Sequence, residues 1–130
     1  MAALDEVKAR IAAMEEAYEF FLAYAAQGAS GDGSSKSGPQ LRQFLNQAAG
    51  ALDGLADAVG AAVEESSGGV DAAWTDMLTV VARDAGAALA AVKLVAMQSS
   101  VSSQLVDNLN ANIHLRAVLT DLFLVDDLLG

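Results

Sequence analysis

Apolar residues return at steps of three and four along almost the whole of this chain, and the pattern breaks at only three places. A step near 100° per residue gathers each such series onto one face of a helix. The breaks fall at residues 28–38, rich in glycine and serine, at the Ser-Ser-Gly-Gly run 66–69, and at a serine cluster around 97–100. Proline occurs once, at Pro39, where the second series begins and a missing N–H costs nothing. The spacing predicts an all-α fold, an antiparallel up-down-up-down four-helix bundle. It fills a single domain, 1–130, with a flexible Gly/Ser linker at 28–38.

The four series are nearly equal in length, as such a bundle needs. Residues 2–27 carry Leu4, Val7, Ile11, Met14, Tyr18, Phe21 and Leu22 on one face. Residues 39–65 carry Leu41, Phe44, Leu45, Ala48, Leu52, Leu55, Val59 and Val63. The far side of that helix holds Gly50, Gly54 and Gly60, and the Gly50/Gly54 spacing admits close backbone approach. Residues 70–98 present Trp74, Met77, Val81, Ala85, Ala88, Val92 and Val95, with Trp74 as a core anchor. Residues 100–130 present Val101, Leu105, Leu109, Leu115, Leu119, Leu122 and Phe123, with Ser99 and Ser100 suited to cap the helix start. Neither glycine nor proline separates the last two series, so one long helix swapping into a second copy is compatible with the sequence. The serine cluster favours a turn instead, because its side chains compete for local backbone hydrogen bonds.

Two features set the last series apart. Asn108 and Asn112 fall within its extrapolated apolar face and Arg116 lies on the flank. Antiparallel alignment brings Asp84 opposite Arg116, with Glu15 at the same level. An interior polar layer of Asp84, Asn108, Asn112, Arg116 and Glu15 is therefore predicted, as a structural ion pair or as the lining of a ligand pocket. Second, Ile113, Val118, Leu124, Val125 and Leu128 fall off the main face. Phe20 and Tyr24 form a similar minor strip on the first helix. One bundle core cannot bury both sides of a helix, so these seven residues are read as a surface for a second subunit.

Composition narrows the chemistry. Seven Lys and Arg stand against 17 Asp and Glu, a net charge of −10, which repels phosphate backbones and leaves no basic stripe for nucleic acid. There is no cysteine, hence no thiolate catalysis or zinc–thiolate site. The single histidine, His114, belongs to no Glu-x-x-His pair, and its outward wheel position does not suit a haem ligand. Gly33, Lys36 and Ser37 miss the phosphate-loop pattern, because no glycine directly precedes the lysine and a helix, not a strand, comes before. Asp32 is a lone acidic residue where a calcium loop needs several. No serine has a histidine base in evident reach.

No cofactor or metal site is read from these residues. No apolar run reaches the length of about 20 residues that spans a bilayer, and no basic leader precedes an apolar run, so a cytoplasmic location is expected by elimination. The expected function is that of a non-enzymatic, self-associating helical protein, an adaptor, scaffold or accessory subunit. The alternative is a small-molecule or cofactor carrier using the interior polar layer.

Overall fold

The computed structural model describes residues 2–130. Among them the chain forms six α-helices, one short 3-10 turn and no strand. The helices are α1 (Ala2–Ala25), α2 (Gly38–Leu52), α3 (Leu55–Ser67), α4 (Ala72–Ala96), α5 (Ser103–Ala111) and α6 (His114–Leu129). The helical class agrees with the sequence pattern; the count of four does not. The second and fourth predicted helices are each divided, at Asp53–Gly54 and at Asn112–Ile113.

Each division has a local cause. Gly54 takes a left-handed backbone, φ 71°, which costs a residue without a Cβ nothing. The carbonyls freed at the end of α2 are not left bare: Arg10 of α1 donates from Nη1 to Ala51 O at 3.0 Å and to Asp53 O at 2.6 Å. Gly54 is thus a hinge residue, not a cost inside a helix. Gly50, with no neighbouring atom beside its would-be Cβ, does not mark a close helix–helix approach. The second division is less comfortable. Among the described residues Ile113 is the one non-glycine with positive φ, at 65°, a conformation a β-branched side chain adopts only under strain.

The long helices α1 and α4 stand apart and share the two bent pairs between them. α1 packs against α2, α3, α5 and α6, and α4 packs against the same four. The core between them is aliphatic, with Val7, Ile11, Met14, Phe21, Leu41, Leu45, Leu52, Leu55, Val59, Val63, Val81, Val92 and Leu122 buried. Trp74 is only half-buried, so the predicted core anchor sits at the margin.

The chain turns between α4 and α5, as the serine cluster suggested, but the cap is neither Ser99 nor Ser100. Ser102 accepts from the Leu105 N–H at 3.0 Å. This turn is tied to the glycine–serine linker. Asp32 accepts from the Val101 N–H at 2.7 Å and from Arg42 Nε at 2.9 Å. Arg42 also donates to Ala96 O at 2.7 Å and Gln98 O at 2.8 Å, closing the carboxyl end of α4. Ser103 and Ala29 exchange backbone and hydroxyl hydrogen bonds, and the buried Tyr24 hydroxyl donates to Val101 O at 2.7 Å. The mobility expected of the linker composition is opposed by these bonds. Two of its glycines are close approaches: a Cβ on Gly38 would collide with Asp32 O, and one on Gly31 with the Ser100 hydroxyl.

Three of the seven basic residues therefore act at the carboxyl ends of other helices: Arg10 on α2, Arg42 on α4, and Lys8 on α6, where it pairs with Asp126 at 3.0 Å. Positive charge is favoured there because a helix ends in bare carbonyls and the negative end of its dipole. Lys8 also accounts for Asp126 in the last turn of α6, a position that otherwise opposes the dipole.

Candidate interaction surface

Helix α6 begins at a backbone break. Beyond the left-handed Ile113, Leu115, Leu119 and Leu122 of the predicted face are buried, but the buried arc extends from them toward Val118 and Val125 and not toward Phe123. The inner face of α6 is Leu115, Val118, Leu119, Leu122 and Val125, all buried. Two predicted surface residues, Val118 and Val125, are thereby corrected to core, both at 0 % exposure. Phe123, predicted as core, lies on the outer side at 48 %.

The other expected surface residues divide in the same way. Tyr24 is core, held by its bond to Val101 O. Phe20 is half-buried and stacks on Phe44 of α2, ring centroids 4.5 Å apart, so its own chain covers it. Ile113, Leu124 and Leu128 remain exposed, at 63, 52 and 65 %. The outward side of α6 is a ridge of Ile113, Arg116, Thr120, Phe123, Leu124, Asp127 and Leu128.

A groove runs along each flank of that ridge. One, of about 480 Å³, lies between α1 and α6 and is lined by Glu15, Tyr18, Glu19, Arg116, Thr120 and Phe123 among others. The other, of about 400 Å³, is formed by Asp71, Trp74 and Met77 of the α4 start with Leu124 and Leu128. Trp74 is placed there by a local device: Asp71 caps α4 by accepting from the Trp74 N–H at 2.9 Å.

The predicted interior polar layer does not form. Glu15, Asn108, Asn112 and Arg116 are all exposed, and Asp84 is half-buried. The structure brings Glu15 and Arg116 to one groove, at the surface, without an ion pair between them. The asparagine that is buried is Asn110, 7 % exposed, and neither end of its amide has a hydrogen-bond partner among the described residues. Its position follows the α5 face of Ser103, Val106 and Asn110, which is one residue out of step with the extrapolated series. The ligand pocket expected in the interior loses the residues it needed.

Asp84 meets a carboxylate rather than Arg116. Its neighbour is Asp121 of α6. Burial first, then hydrogen bonding to Asp84 and the repulsion of its charge, push Asp121 up to about 7, with Arg83 acting weakly in the opposite sense. Between the ordinary value of 3.8 and about 7, the folded chain holds a proton that the unfolded chain releases. Stability is therefore highest below that window and falls as pH rises through it. Asp121→Asn is expected to flatten this dependence and to stabilise the chain at pH 8 by about 1–2 kcal/mol, less than the whole shift implies because solvent screens a half-buried carboxyl. Urea midpoints at pH 5 and pH 8 measure it; an equal effect at both would contradict the assignment.

No protein-family model matches this chain, and neither a curated protein nor a solved structure matches it. No helix among the described residues is long and apolar enough to cross a membrane.

Proposed function

We propose that this chain is a non-enzymatic helical adaptor, scaffold or accessory subunit that self-associates through the outer ridge of α6, acting in the cytoplasm. One observation carries the reading. α6 has a fully buried inner face, yet it also presents Phe123, Leu124 and Leu128 about half or more exposed on its outer face. Large apolar side chains gathered on the outer side of one helix are a liability on a solitary soluble chain and an asset in an assembly. Its body is read as an up-down-up-down bundle of four columns with two of them bent. Support comes from the way α1 and α4 each pack on both the α2/α3 and the α5/α6 pairs.

Sedimentation equilibrium tests the function. The wild type is expected to be a dimer or larger at micromolar concentration. Leu124→Asp with Leu128→Asp is expected to give a monomer with unchanged helicity, since both side chains are already in solvent. A wild type that stays monomeric at every concentration reached would remove the proposal.

A further inference from the structure

The charges on the α6 ridge carry the reading further, to the geometry of the contact. Arg116 and Asp127 are both exposed, and neither forms an ion pair within the described chain. Of the other charged residues nearby, Asp126 is paired with Lys8 and Asp84 lies against Arg83. Glu15 and Glu19 line the groove beside Arg116 without reaching ion-pairing distance.

Arg116 and Asp127 are eleven positions apart, close to three helical turns, so they lie on one stripe about 16 Å apart along the axis. A stripe with a cation at one end and an anion at the other is complementary to itself when reversed. In an isologous dimer each patch meets its own copy, rotated by a two-fold axis. With the axis passing between Thr120 and Phe123, Arg116 of each copy stands opposite Asp127 of the other. Phe123 of each copy then stands at the level of Thr120 of the other, with the two Phe123 rings straddling the axis along one flank of the stripe and the two Leu124 side chains straddling it along the other.

We infer that the occupant of the α6 ridge is the α6 ridge of a second copy, packed antiparallel, with two reciprocal Arg116–Asp127 ion pairs bracketing an apolar centre of Phe123 and Leu124. This rests on the self-association proposed above and names its partner surface and register. A parallel arrangement would set Arg116 against Arg116 and Asp127 against Asp127, which like-charge repulsion disfavours. The pairs would confer orientation more than affinity, since exposed ion pairs contribute little by themselves.

Charge reversal separates the two layers of the argument. Arg116→Asp alone and Asp127→Arg alone are each expected to weaken dimerisation roughly 10- to 100-fold, because each change acts twice in a two-fold contact and replaces attraction with repulsion. The double variant, Arg116→Asp with Asp127→Arg, restores the pairs in reversed sense and is expected to return to within about threefold of wild type. Sedimentation equilibrium at low salt reads all four proteins, and circular dichroism checks that each remains helical. If the wild type dimerises but the double variant is no better than the single ones, the antiparallel register is wrong while self-association stands. If the wild type does not dimerise, both fall. Because the chain has no cysteine, Thr120→Cys gives an independent reading. Efficient disulfide-linked dimer on mild oxidation supports the register, and a linked fraction no greater than that of a Gln98→Cys control overturns it.

Discussion

Replacing Arg42 with alanine is expected to destabilise the folded chain by about 2–4 kcal/mol, the sum of several charge-assisted bonds discounted for partial exposure. The guanidinium joins three segments at once. It holds Asp32 of the linker through two of its nitrogens, and it satisfies the carbonyls of Ala96 and Gln98 where α4 ends. Alanine would leave those carbonyls to solvent and remove the cation from the negative end of α4. Lysine is expected to recover less than half of the loss, because one ammonium cannot present the same fork to a carboxylate and two carbonyls. The Arg42 and Val101 hydrogen bonds hold Asp32 below the ordinary carboxylate range. Its contribution is thus present at neutral pH and is lost as pH falls through the depressed value. Arg42→Ala should therefore blunt that dependence at the acid end. Urea denaturation at pH 7 and pH 3.5 measures both effects, and a loss under 1 kcal/mol at pH 7 would show that the linker is not held as described.

The second large effect is a contrast between neighbours. Val125→Asp is expected to cost about 4 kcal/mol or more and to leave little folded protein, because a carboxylate would enter the aliphatic core without a partner. Leu124→Asp, one residue earlier, is expected to cost less than about 1 kcal/mol of subunit stability. The difference follows from exposure alone, 0 % at Val125 and 52 % at Leu124. Circular dichroism during thermal unfolding of the two variants is the check, read at a concentration low enough that association does not contribute.

That contrast also marks where the sequence stopped being legible. Helix existence was plain, because the 3.6-residue period runs through every segment and alanine carries it where larger residues do not. Helix phase was less so. On α1 the true inner series passes through the small Ala17 to Phe21 and Tyr24. Tyr18 and Leu22 offered larger but wrong stepping stones. On the last series, the positive φ at Ile113 breaks the helix, the inner arc of α6 runs to Val118 and Val125 and not to Phe123, and nothing in an isoleucine announces a left-handed backbone. The Asp53–Gly54 break had a readable signal, since a glycine after an aspartate is a turn dipeptide. The polar layer failed because α5 turns inward through Ser103, Val106 and Asn110 and leaves Asn108 outside, and because aligning helices by level says nothing of which way Glu15 and Arg116 face. Long-range capping by Arg10 and Arg42 had no sequence signal: partners 41 and 54 positions away are set by tertiary packing.

The central claim is that α6 gives one face to its own bundle and the other to a second copy. Methyl resonances report the two faces separately. In protein labelled at leucine and valine methyls, the Leu124 and Leu128 signals are expected to move as the sample is diluted through the dissociation range, while Val118 and Val125 stay fixed. Four stationary methyl pairs across that range would contradict the account, and so would Val118 and Val125 moving as far as Leu124 and Leu128.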